Sequence, residues 1–192
     1  MLFKNPFDKV PEEFRTKITI QAMVRSNPAI VKRIPKEKRN EALYVGFVKM
    51  DARVLKYVPK EFRTEKVLLA AVKADAASFR YINLKELTPE ICFHAVSSCP
   101  ELLAELPEEH KTYHICFIAI SKNPYMIDHV PAEFKSSELC LEAIKNVQTR
   151  DHIIARIPIK VLAEEEFNKG YAKLEAERYG QELENNEEAS TI

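Results

Sequence analysis

Four consecutive stretches of this chain carry apolar residues at i, i+1, i+4 and i+5. They are Val67, Leu68, Ala71 and Val72; Ile91, Cys92, Ala95 and Val96; Ile115, Cys116, Ala119 and Ile120; and Leu139, Cys140, Ala143 and Ile144. On a helix of 3.6-residue period such positions form a single stripe, so each stretch predicts an amphipathic helix of about ten residues, for example Glu65 to Ala74. Each stripe starts 24 residues after the one before it. Alanine at the third position of all four lets neighbouring helices approach closely.

The polar punctuation repeats with the same period. Thr16, Asn40, Thr64, Thr88, Thr112 and Ser136 stand just before the stripes, and each side-chain oxygen is suited to accept from the free amides of a first helical turn. A second start follows each long helix: Asn27-Pro28 and Asn123-Pro124 pair a cap with proline, Cys99-Pro100 keeps the proline, and Asp51-Ala52 and Asp75-Ala76 keep the cap. From there a short helix is expected to bury Ile30/Val31, Val54/Leu55, Phe79, Leu102/Leu103 and Met126/Ile127. A Val-Pro or Ile-Pro pair then stops it, because the residue before proline is pushed out of the α region. Pro59-Lys60-Glu61-Phe62 and its counterparts predict one tight turn that drops the Phe into the seam between helices.

These pairs mark the copies. Val10-Pro11, Ile34-Pro35, Val58-Pro59, Ile82-Asn83, Leu106-Pro107 and Val130-Pro131 are separated by 24 residues each, and Ile157-Pro158 follows after 27. A fixed period in this range marks units that cannot hide their apolar faces alone and must stack. The expected fold is all-α: an α-solenoid of about six 24-residue helix-turn-helix repeats over residues 1–158, with a C-terminal capping helix and acidic tail over 159–192. The chain is expected to leave the pattern from Pro158 on. Val161, Leu162, Phe167, Tyr171, Leu174, Tyr179 and Leu183 form roughly one helical face broken at Gly170, and Glu184–Ile192 is expected to fray. Three additional residues around Val147–Asp151 predict a bend or loop there.

Composition adds a polarity. The formal net charge is zero, yet residues 1–81 carry 18 Lys/Arg against 9 Asp/Glu, and residues 82–192 carry 11 against 20. Opposite halves of this kind imply an electrostatic footprint or self-association of one half on the other, against the plainer reading of a solvated surface. Met1 to Pro6 has no apolar core of signal-peptide length, and runs such as Val67–Val72 are too short to span a bilayer, so a soluble, cytoplasmic protein is expected with no membrane partner. Cys92, Cys116 and Cys140 share one column with Ile20, Tyr44 and Leu68, which reads as core cysteines in a reducing compartment.

Little in the residues points to reaction chemistry. Three glycines leave no phosphate-cradling loop, and no cofactor or metal is expected. His110 and His114 have the i, i+4 spacing of zinc ligands, but Thr112 is the expected cap between them. The acidic column Glu13, Glu37, Glu61, Glu109 and Glu133 lies two residues before Arg15, Arg39, Arg63, Lys111 and Lys135, which predicts bridges between adjacent units. The candidate partner-binding residues are a basic ladder of Arg15, Arg39 and Arg63, the helix-end cations Arg25, Lys49 and Lys73, and Tyr57 and Tyr81 at equivalent positions. Their plainer alternatives are dipole-complementing surface cations and packing aromatics.

The unit Val67-Leu68-Leu69-Ala70-Ala71-Val72-Lys73, with Tyr57-Val58-Pro59-Lys60-Glu61-Phe62-Arg63 before it, resembles the short helical repeats of bacterial and bacteriophage-type proteins known only as a domain of unknown function. The resemblance covers about residues 10–158, with Asn-Pro or Asp-Ala standing where that family has Asn-Gly, and Val-Pro where it has Ala-Ser. It implies a helical-repeat fold and no catalytic residue. The expectation is therefore a non-enzymatic protein–protein interaction module, an adaptor or inhibitor of phage or effector type that docks on a host protein. A nucleic-acid-binding solenoid using the basic N-terminal half is the alternative.

Overall fold

The computed structural model describes residues 17–145 and 150–189, with side chains over 20–145 and 150–180, and every regular element among them is helical. The long helices are α1 (Lys17–Ser26), α2 (Glu41–Met50), α3 (Glu65–Ala74), α4 (Pro89–Ser98), α5 (Tyr113–Lys122) and α6 (Ser137–Lys145). Then come α7 (Asp151–Ile154), α8 (Ile159–Leu162) and α9 (Glu165–Ala189). The chain divides into two compact units, Met1–Cys99 and Pro100–Ile192.

After each of α1 to α5 runs a six-residue arm: Pro28–Arg33, Ala52–Tyr57, Ala76–Tyr81, Pro100–Glu105 and Pro124–His129. These arms, expected as short helices, are 3-10 rather than α, an unusual length for that geometry. Two local causes favour it. Asn27, Asp51, Asp75 and Asn123 each close the preceding α-helix with the backbone N–H and open the arm with the side chain. Asp51, for instance, donates to the Phe47 carbonyl at 2.9 Å while its Oδ1 accepts from the Arg53 amide at 3.0 Å. Moreover, side chains three apart eclipse in a 3-10 helix, and Ala52, Leu55 and Val58 are all buried along one such edge. A single 3-10 turn follows each arm, as at Lys60–Phe62.

Stripe residues form the core. Val67, Leu68, Ala71 and Val72 are buried, as are their counterparts in α4, α5 and α6, and each fully buried Leu or Ile contributes about 2 kcal/mol. In the first unit α2 packs on α3, α3 on α4, and each 3-10 arm on the next; in the second α5 packs on α6 and α6 on α9. Phe62 half-buries against Tyr44 with ring centroids 4.9 Å apart, and Phe134 meets Tyr113 edge-on at 6.4 Å. Met126, expected in the core, is half-buried.

The caps agree with expectation at Asn40, Thr88, Thr112 and Ser136, whose oxygens accept from the amides of Leu43, Ile91, Ile115 and Leu139. Thr64 differs: its side chain makes no cap hydrogen bond, and its hydroxyl donates to Glu41 Oε1 at 2.6 Å. Thr16 lies outside the described residues.

The C-terminal segment corrects the expectation more substantially. It keeps the unit's order with a 27-residue step: α8 begins at Ile159, 27 after Ala132, and α9 begins at Glu165, 28 after Ser137. Phe167 stands in the Cys140 column and Gly170 in the Ala143 column. Gly170 does not break α9. A Cβ there would overlap the end of the half-buried Leu141 side chain, so alanine would require Leu141 to turn aside. Phe167 is buried at the contact, and helix-favouring Glu and Ala carry α9 to Ala189 through most of the segment expected to fray. Of the stretch around Val147–Asp151 expected to bend or loop, residues 147–149 lie outside the described residues, Arg150 is in a turn and Asp151 opens α7.

Candidate partner-binding face

Lysines and arginines in this repeat fall into columns 24 residues apart, and the fold sends the columns in different directions. Arg63 is the clearest inward case. Its side chain is 8% exposed and pairs with Glu86 of the next 24-residue repeat, Nη2 to Oε2 at 2.7 Å and Nε to Oε1 at 2.8 Å. Nη1 donates to the Leu55 carbonyl at 2.9 Å and Nη2 to the Tyr81 carbonyl at 2.7 Å. The hydrogen bonds from Arg63 hold the Glu86 carboxyl down at about 2 against the opposing effect of its desolvation.

Arg39 behaves alike on a smaller scale, with Nε donating to the Ile34 carbonyl at 2.8 Å and Nη2 to the Lys32 carbonyl at 3.0 Å. Lys111 in the same column is buried, its amine on Glu108 at 2.6 Å. Arg39 and Arg63 therefore face backbone carbonyls at the ends of the 3-10 arms, of which that of Leu55 also accepts from the Val58 amide. The expected bridges within the Glu-x-Arg column give way to these contacts: Arg63 pairs with Glu86, and Glu61 is exposed. Leu87, buried at the equivalent position of the next unit, is the sequence signal that this column points inward. Arg15, the first rung, lies outside the described residues.

The helix-end cations point outward. Arg25, Lys49 and Lys73 are exposed at the last turns of α1, α2 and α3, where they complement the negative end of each dipole. Lys73 also lies 3.8 Å from Glu90. Tyr57 is half-buried with the Lys32 amine 5.3 Å and the Lys56 amine 5.9 Å from its ring centroid. Tyr81 is half-buried and lends its carbonyl to Arg63.

A further column was not singled out from the sequence. Lys32, Lys56 and Arg80 are exposed at the same position of three successive 3-10 arms, and those arms pack one on the next. The signal was present: each follows directly a buried residue of the arm (Val31, Leu55 and Phe79), and one residue of a 3-10 helix turns the side chain by about 120°. Between the second and third arms lies a recess of about 190 Å3 lined by Arg53, Asp75, Ala77, Ser78, Arg80 and Tyr81.

Other candidate chemistry does not assemble. His110 ends a 3-10 turn and His114 lies in α5, on either side of the cap Thr112. No group of three or more His, Cys, Asp or Glu among the described residues is placed to hold a metal ion. Burial pushes the thiols of Cys92, Cys116 and Cys140 up to about 11, which keeps them protonated at neutral pH. Among the described residues no helix is long and apolar enough to cross a membrane. No family model matches the chain, and no curated protein or solved structure matches it.

Proposed function

We propose that the chain is a non-enzymatic protein-binding module whose units stack as an α-solenoid, and that it grips an acidic protein surface with the 3-10 arms of its first unit. The observation that carries this reading is the exposed column Lys32, Lys56 and Arg80, repeated at a fixed interval on arms that pack against each other. Repeat stacks present extended surfaces of this kind to partners. Action in the cytoplasm, in the manner of a phage- or effector-type adaptor or inhibitor docking on a host protein, fits the resemblance of its repeat unit and the cationic face.

A nucleic-acid partner is the second reading, favoured by the same cations. It is the weaker one here. Arg39 and Arg63 are engaged on carbonyls, and Tyr57 is already flanked by two lysine amines, so the face offers few open aromatic surfaces for stacking bases.

Affinity capture from the native lysate, with and without nuclease, separates the two. The wild-type chain is compared with the Lys32→Glu, Lys56→Glu, Arg80→Glu variant. A stoichiometric protein retained after nuclease and lost with the variant supports the protein-binding reading. Nucleic acid in the untreated half, with proteins vanishing after nuclease, overturns it.

A further inference from the structure

The third residue of each 3-10 arm is apolar with one exception. The column reads Ile30, Val54, Ser78, Leu102 and Met126. Ser78 is as buried as its neighbours in that column, at 2% exposure, yet its hydroxyl has no hydrogen-bond partner among the described residues. A buried hydroxyl left unpaired is costly, and native structures rarely keep one without a reason. Where local consistency breaks in this way, a functional demand is a common cause.

Ser78 lines the 190 Å3 recess between the Ala52–Tyr57 and Ala76–Tyr81 arms. Two arginines on that wall keep N–H groups without a partner among the described residues. Arg80 makes no hydrogen bond or ion pair among the described residues. Arg53 grips Asp51 through Nε and Nη2, at 3.0 and 2.8 Å, leaving Nη1 without a partner among the described residues. Asp75 is the one carboxylate on the wall, and its Oδ1 already accepts from the Ala77 amide at 2.9 Å. Two guanidiniums and a hydroxyl are thus left with free N–H and O–H groups around one small concavity. Guanidinium forks match the oxygens of a carboxylate or phosphoryl group.

We propose that this recess is a seat for a single oxyanion, a phosphoryl or carboxylate group carried on a peptide of the partner. Its source in a partner peptide rests on the protein-binding reading above, whereas the seat itself is read with inorganic phosphate alone. Ser78 donates to one oxygen, Arg80 forks across two, and Arg53 supplies Nη1 without leaving Asp51.

The test is an NMR titration of the full chain with inorganic phosphate at constant ionic strength. The expected result is saturable shifts at Ser78 and Arg80 and at the Arg53 and Arg80 Nε–H signals, with affinity reduced at least about tenfold by Arg80→Gln and by Ser78→Val. Lys36→Gln, which removes an exposed cation outside the recess, leaves the affinity unchanged. Shifts spread over exposed lysines and arginines without saturation overturn the seat. So does a Ser78→Val variant that gains stability and still titrates as the wild type, which marks a mere packing gap. Two peptides, one with phosphoserine and one with glutamate at the same position, distinguish the phosphoryl source from the carboxylate one. If phosphate saturates the recess and neither peptide competes with it, the peptide-borne source is overturned.

Discussion

Two basic columns run through the first unit with the same period and opposite fates. The residues Arg39 and Arg63 turn inward to carbonyl oxygens, whereas Lys32, Lys56 and Arg80 stand in solvent at the ends of the 3-10 arms. Identical spacing tends to give the residues of a column similar environments. It does not say which environment. Inward cations hold units together because a desolvated guanidinium must find several acceptors, and carbonyls at helical ends are what the interior offers. Outward cations contribute little to folding, since exposed charges are solvated in both states.

Substitution should separate the columns most sharply at Arg63. Arg63→Ala leaves Glu86 and the carbonyls of Leu55 and Tyr81 without their shared donor, and should cost about 3 kcal/mol in a urea titration. Lys56→Ala in the outward column should stay within about 0.5 kcal/mol. Equal effects would erase the distinction.

Acid should act on the same pair. Glu86 is held at about 2 in the folded chain, below its ordinary value near 4.5, so its contribution is fully present above pH ~4.5 and is lost as pH falls towards 2. The loss should be on the order of 2 kcal/mol, and an Arg63→Gln chain should show a flatter profile across that window. A wild-type chain whose midpoint is unmoved between pH 5 and 3 would contradict this coupling.

Glycines offer the mildest version of the comparison. Gly170 faces the end of the Leu141 side chain, so in Gly170→Ala the displacement of Leu141 should offset most of the gain in helix propensity and leave stability within about 0.5 kcal/mol. A Cβ at Gly46 meets nothing within 4 Å, and Gly46→Ala should stabilise by about 0.5–1 kcal/mol. Thermal melts that rise equally for both would sink the assignment of inward and outward faces.

Much of the local structure was legible in the residues. The stripe at Val67, Leu68, Ala71 and Val72 and the caps at Asn40, Thr88 and Thr112 located the long helices, because both signals act within one or two turns of chain. The arms were located but mistyped: their period of three is visible at Ala52, Leu55 and Val58, yet two-turn segments carry too little pattern to separate 3-10 from α. The basic ladder was half misplaced for a different reason. Arg63 and Lys56 look equally exposed to any local rule, and Arg63 turns inward only because Glu86, Tyr81 and Leu55 arrive from other segments.

Period, caps and helical stripes were therefore set by the sequence alone, since they rest on backbone geometry and neighbours a few residues apart. Which cation columns face inward, that Ser78 has no partner among the described residues, and that Gly170 comes to face Leu141 were decided by tertiary structure. Those outcomes depend on groups brought together across whole repeat units, and a local pattern carries no record of what will stand opposite.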